Sequence, residues 1–231
     1  MRIIHKQEEF FDAPRENKKQ RIAGWFIYLV AFLARPVLKL LFRYKVVGKE
    51  KLPREGEEPV ILAANHVSYF DPAILWVASY PRVLRFLARA TLFVPVVGGI
   101  FARAGGIPIT PESADRIAVK RAVACLKRGE CLGIFPEGTR MNRPDKEYNP
   151  HAGLILIAQM AKCKIMPVGI SGTEKIKPYG QKLPRLPKIT ITYGDPIDLK
   201  DYADLPKSER TQTVLNDVME KIFELRDAGA K

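Results

Sequence analysis

The chain has 231 residues, and its 38 Lys and Arg against 25 Asp and Glu give a formal net charge of +13. That length buries one good core, which points to a single domain with a short appendage rather than two full domains. The charge calls for an anionic partner or surface: nucleic acid, an acidic membrane or a phosphorylated substrate.

Residues 1–20 are charged and turn-prone, and read as a loosely ordered leader without a cleavable-signal pattern. Residues 22–42 read IAGWFIYLVAFLA, then Arg35-Pro36, then VLKLLF. The clean apolar stretch ends at Arg35, short of the roughly 20 residues a spanning helix needs. Pro36 breaks the pattern, and Lys39 and Arg43 punctuate the second half. The expectation is a pair of short helices lying in one leaflet, with Trp25, Phe26, Tyr28, Phe32 and Phe42 in the interfacial layer. A helical pair packed on the protein's own core, or a true span with Arg35 snorkelling, are the alternatives. The domain division is then 1–43 for the leader and membrane-associating helices, and 44–231 for the rest.

From Tyr44 onward, apolar runs of strand length alternate with helical patterns. Residues 59–64 are a buried strand and 72–79 a helix. Strands follow at 83–88 and 105–109, with a Gly-punctuated apolar stretch, 92–104, between them. Thr110-Pro111-Glu112 opens a helix that Gly129 stops. Strand 131–135, helix 153–162, strands 165–170 and 189–193, and an amphipathic helix over 208–226 complete the chain. This alternation implies an α/β fold, a mostly parallel central sheet flanked by helices. The three cysteines, Cys125, Cys131 and Cys163, all lie in these apolar runs without metal-ligand spacing, and read as small buried hydrophobes.

In such a sheet the turns at the carboxyl ends of strands line one crevice. Two turns carry chemistry. The first is Asn65-His66-Val67-Ser68-Tyr69-Phe70-Asp71, between a strand and a helix. A carboxylate at the first helical residue can fold back onto the imidazole of His66, fix its tautomer and make it a general base. On residue type alone, Asp71 before Pro72 is equally a helix cap, and His66 a half-buried side chain satisfied by backbone. The second turn is Phe135-Pro136-Glu137-Gly138-Thr139-Arg140, where Arg140 offers a planar fork suited to phosphate. Alone, Glu137 and Arg140 are as readily a surface ion pair.

NHVSYFD, FPEGTR and MPVGI, in this order and spacing, resemble the blocks of the glycerolipid acyltransferase family, over residues 45–200. The resemblance implies that His66 and Asp71 are the catalytic pair and that Glu137, Gly138, Thr139 and Arg140 contact the acceptor. It implies transfer of a fatty acyl group from acyl-CoA or acyl carrier protein to the free hydroxyl of 1-acylglycerol-3-phosphate, giving phosphatidic acid. It also implies no metal, no cofactor and seating at the cytoplasmic face of a membrane. Another lysolipid or glycerol 3-phosphate is the alternative acceptor. The family's Arg in the block between the two motifs falls at Pro111 here, so Arg103, Arg116 and Lys120 are candidate substitutes for the phosphate. His151 stands where the family often has Lys. Direct transfer fits the absence of a Gly-x-Ser-x-Gly elbow around Ser68. A nucleic-acid binder lacks any helix-turn-helix, zinc or aromatic RNA-binding signature. A non-catalytic peripheral membrane protein would leave both turns idle.

Overall fold

The computed structural model describes residues 18–54, 57–82, 84–94, 105–110, 115–138, 148–178, 180–181 and 183–231, with side chains of helix 18–42 described at 29–30 and from Phe32 onward. Among the described residues seven strands form one sheet: β1 (Lys45–Val47), β2 (Val60–Ala64), β3 (Leu84–Arg89), β4 (Gly106–Ile109), β5 (Cys131–Ile134), β6 (Lys164–Ser171) and β7 (Thr190–Tyr193). Their spatial order is β1-β7-β6-β2-β5-β3-β4. The five strands from β6 to β4 are parallel. β7 runs antiparallel to β6, and β1 is parallel to β7, so this edge pair is reversed. The alternation predicted the parallel body but not β1, which is too short to show a period.

The helices are α1 (Lys18–Phe42), α2 (Asp71–Ser79), α3 (Arg116–Lys127), α4 (Gly153–Ala161) and α5 (Lys207–Ala230). Successive β2 side chains alternate between two cores, as a period of two requires. Ile61 and Ala63 pack with α3, α4 and α5. Val60, Leu62 and Ala64 pack with α2 and with Phe42 and Tyr44 at the end of α1. A sheet covered on both faces explains why β2 is buried along its whole length. Cys125, Cys131 and Cys163 are buried, and burial pushes the Cys125 and Cys163 thiols up to about 12.

Two expectations need correction. The helix expected to open at Thr110 begins at Arg116, because Asp115 is its cap and accepts from Ala118 N at 2.9 Å. Pro111 lies outside the described residues. The expected pair of helices over 22–42 is a single helix, α1, running through Pro36. An internal proline removes one donor and crowds the carbonyl a turn back, costing about 3 kcal/mol. Docking on both sides of it offsets that cost. Half-buried Ala34 and Arg35 precede Pro36, and half-buried Leu38 and Phe42 follow it. The Arg35 guanidinium lies over the Tyr80 ring, 5.6 Å from its centroid, and Phe42 packs into the core.

At 100° per residue these four positions share one side of α1. Leu29, Val30, Leu33, Val37, Leu40 and Leu41 fall outside that arc and are all exposed. The helix therefore turns an apolar face outward, the reverse of an ordinary surface helix. Among the described residues no helix is long and apolar enough to cross a membrane.

Candidate active site

β2 and β5 are neighbours in register, Ala63 beside Ile134, so the two motif turns leave the sheet side by side. The first turn is held by its own asparagine. Asn65 Nδ2 donates to Ile170 O at 2.9 Å, and Ile170 N donates to Asn65 Oδ1 at 2.7 Å. Two bonds from one fully buried amide prolong the β2–β6 ladder past the end of β2 and set where His66 leaves it.

The carboxylate of Asp71, fully buried, decides the shape of the turn. Helix α2 begins at Asp71, but the side chain does not cap it. Oδ2 turns back instead and accepts from Val67 N at 2.7 Å and Ser68 N at 2.6 Å, with His66 Nδ1 at 2.9 Å. The helix-cap reading of Asp71 gives way to a side chain at the centre of its own turn. With a carboxylate at Nδ1, that nitrogen holds the ring proton and Nε2 carries the lone pair. The imidazole stacks on Phe135 with centroids 4.4 Å apart and planes 26° apart. Its side chain is 17% exposed.

Glu137, from the second turn, is nearly buried. Its Oε2 accepts the His66 backbone N–H at 2.7 Å, so each turn grips the other. Burial raises the Glu137 carboxyl, the His66 N–H bond lowers it, Asp71 raises it and Arg226 lowers it, leaving it pushed up to about 7. Gly138 follows with φ of 64°, a left-handed conformation that suits glycine. The His151 ring lies where a Gly138 side chain would start, and its backbone N–H donates to Pro136 O at 2.8 Å. His151 thus flanks the second turn at the surface.

Linkage gives Glu137 a measurable signature. A carboxyl raised from 4.5 to about 7 contributes stability present below the unfolded value and lost as pH rises through the folded one. Glu137→Gln keeps an acceptor for His66 N–H and removes the titration. The fall in Tm between pH 4.5 and 7 should therefore flatten in the variant. An unchanged slope would assign it to other groups.

The structure brings together His66, Asp71, Glu137 and Gly138. Thr139, Arg140 and Arg103 lie outside the described residues, as does most of the 92–104 stretch expected to wall an acyl tunnel. Arg116 and Lys120 are exposed on α3. Helix α3 follows β4, the third strand from β2, and packs back over the sheet in one core with Ile61 and Ala63. Lys120 lies a further turn down the helix. The expected oxyanion donors beyond Asp71 are limited, since Pro72 has no N–H and Ile74 N donates to Phe70 O.

Sequence reasoning gave no role to Asn65 or Phe135. Asn65 and Phe135 sit within the quoted turns.

The Acyltransferase family model matches residues 43–171, which include both turns and MPVGI. The chain is similar to a 1-acyl-sn-glycerol-3-phosphate acyltransferase of Streptococcus pneumoniae, 31% identical over 87% of this chain and 74% of that one. It is similar to the enzyme of the same name from Bacillus subtilis, 28% identical over 83% of this chain and 92% of that one. The crystal structure of the 1-acyl-sn-glycerophosphate (LPA) acyltransferase from Thermotoga maritima shares the fold. It superposes with a TM-score of 0.65 at 23% identity, over 97% of this chain and 88% of that one. With a family match spanning more than half of its length and both turns of the site, the chain belongs to the acyltransferase family and is an acyltransferase.

Proposed function

We propose that the protein transfers a fatty acyl group from an acyl thioester to the free hydroxyl of 1-acylglycerol-3-phosphate, forming phosphatidic acid, with His66 as general base and Asp71 as its partner. The observation that carries this reading is the 2.9 Å contact of His66 Nδ1 with a carboxylate that also takes two backbone amides. An acceptor hydroxyl has a pKa far above neutrality and attacks only as its proton leaves. His66 Nε2 takes that proton while the oxygen bonds to the thioester carbonyl carbon. Asp71 stabilises the imidazolium through Nδ1–H. The tetrahedral centre then collapses, the C–S bond breaks, and His66 returns the proton to the thiolate. Acyl-CoA and acyl carrier protein both supply such a thioester.

Glu137, Gly138, Thr139 and Arg140 form the acceptor side in this reading, with Glu137 holding the backbone of His66 and Arg140 taking the phosphate. Residues 44–231 are the catalytic domain. Residues 1–43 seat it on the cytoplasmic face of an anionic membrane, with the outward apolar arc of α1 as the supporting observation. Burying that arc supplies roughly 25 cal/mol per Å². Lys39, Arg43 and Lys45, all exposed beside it, add about 1 kcal/mol each at an acidic surface.

One experiment tests both parts. The protein is mixed with vesicles containing anionic lipid and 1-acylglycerol-3-phosphate, supplied in turn with acyl-CoA and acyl-carrier-protein donors, and products are read by mass spectrometry. Phosphatidic acid from at least one donor is expected. No phosphatidic acid with either donor, but acylation of a different lysolipid, overturns the acceptor. Leu33→Glu with Leu40→Glu, both at exposed positions, should abolish flotation with the vesicles while leaving Tm unchanged. Retained flotation would remove α1 from membrane binding.

A further inference from the structure

The connection between β6 and β7 leaves the sheet at the end that carries His66. β6 runs parallel to β2 with Val168 beside Ala64, and Ser171 pairs with Thr190 of β7, so the chain from Gly172 to Ile189 lies beyond that end. Its base is fixed. Ile176 and Ile189 are buried in the core that holds Ala64 and part of α2, with Phe42, Tyr44 and Phe135 packed against it. This is the face of the sheet on which Phe135 stacks with His66. A Cβ on Gly172 would strike the carbonyl of Lys188. Ile189 N donates to Phe42 O at 3.0 Å, and Lys45 N donates to Ile189 O at 2.9 Å. The connection is therefore bonded to the carboxyl end of α1. Arg185 N donates to Ile176 O at 2.7 Å and ties its two limbs together.

Beyond that base the loop turns apolar side chains to solvent. Leu183 is 79% exposed and Leu186 55%. The stretch reads Leu183-Pro184-Arg185-Leu186-Pro187-Lys188, one leucine–proline–cation triplet written twice. Each proline fixes its own φ and holds the leucine before it extended, which lowers the entropy lost when the segment settles on a surface. Arg185 and Lys188 are exposed, as are Lys175 and Lys177 on the other limb. Glu174 is the single acid between Gly172 and Ile189. Its contact with Lys175, 4.0 Å long and open to solvent, neutralises little. A lone exposed leucine needs no explanation. Two of them alternating with cations have the composition of an interfacial segment. The same composition continues on α1, where Leu40 and Leu41 directly precede Phe42 and are exposed, with Lys39, Arg43 and Lys45 exposed around them.

We propose that the β6–β7 loop is a second membrane contact, in which Leu183 and Leu186 enter the interfacial layer of an anionic bilayer while Lys175, Lys177, Arg185 and Lys188 meet its headgroups. It rests on the reading of α1 as the membrane seat. A single helix lying on a bilayer leaves the body free to roll about the helix axis. A second contact, bonded to the end of that helix and placed at the His66 end of the sheet, removes this freedom and turns the crevice toward the lipid. It also makes the loop's insertion intramolecular once α1 is down, so the two contacts reinforce each other without touching. An acidic protein surface would satisfy the cations but gives the two leucines no reason to stand clear of the core.

The test uses the full-length protein and vesicles of phosphatidylcholine with and without phosphatidylglycerol. Leu183→Cys is labelled with an environment-sensitive fluorophore, and the unsubstituted protein, whose three cysteines are buried, is treated alongside to report any dye they take. On anionic vesicles the emission should shift to the blue and become shielded from aqueous iodide. Leu183→Ser with Leu186→Ser should weaken vesicle partitioning roughly 10- to 100-fold at unchanged Tm. Turnover of an acceptor presented in vesicles should fall, and that of a short-chain acceptor dispersed in water should be kept. Arg185→Gln with Lys188→Gln should lose roughly fivefold per charge on anionic vesicles and nothing on neutral ones. A dye that stays in water on vesicles to which the protein is bound overturns the proposal, as does a leucine pair that partitions like wild type. A charge pair that floats normally but raises the KM of an acyl-carrier-protein donor overturns it too, and assigns the loop to an acidic protein. A wild type that does not float at all fails the membrane reading of α1 itself, a different outcome from a wild type that floats with its loop in water.

Discussion

Replacing His66 by Ala should bring acyl transfer to background while the protein keeps its Tm within a few degrees. The side chain is anchored by one contact to Asp71 and one ring stack, whereas its backbone N–H, the bond that ties the two turns, survives the substitution. Asp71→Asn should lose roughly 10²- to 10⁴-fold in kcat. An asparagine oxygen can still accept from Val67 N and Ser68 N. It brings no negative charge to the imidazolium, so catalysis falls more than stability does. Asp71→Ala should lose both, because two backbone amides, that of Ser68 buried and that of Val67 half-buried, then stand unpaired at about 1–3 kcal/mol each. A folded His66→Ala protein with near-normal turnover would remove His66 as the base. Steady-state kinetics beside thermal denaturation decides the matter.

Gly169→Ala is the second large effect. The added methyl has no room, since the obstruction is helix backbone and not the tip of a flexible side chain. Overpacking of this kind costs about 1–3 kcal/mol, which for a chain of this size lowers Tm by roughly 2–12 °C. The damage should extend to activity. Displacing α5 or β6 pulls on Ile170, and through its paired hydrogen bonds on Asn65, the residue before His66. A Gly169→Ala protein with wild-type Tm and kcat would show that α5 yields freely, and the helix crossing would lose its meaning for the site.

Much of this architecture could be read in the residues. Apolar runs of strand length alternating with helical periods carried the parallel sheet, because burial on both faces leaves strands continuously apolar. The order of NHVSYFD and FPEGTR carried the pairing of His66 with Asp71 and the facing of the two turns. Both are local matters: a five-residue spacing within one turn, and a rule about strand ends. The sequence misled at α1, where Pro36 reads as a break, because the docking of Ala34, Arg35, Leu38 and Phe42 is a tertiary contact that no local pattern displays.

What only the tertiary structure decided lies across long separations. Glu137 takes the backbone amide of a residue 71 positions away. Asn65 clips a strand 105 residues away. Helix α5 lies with the backbone of Leu225 and Arg226 against Gly169, 57 positions before Arg226 in the sequence. Local chemistry fixes which side chains can act, since their spacing and type are written in neighbouring residues. The grouping of charges from distant segments is set by strand order and by how closely a helix can lie on the sheet, and neither is a property of any short stretch of chain.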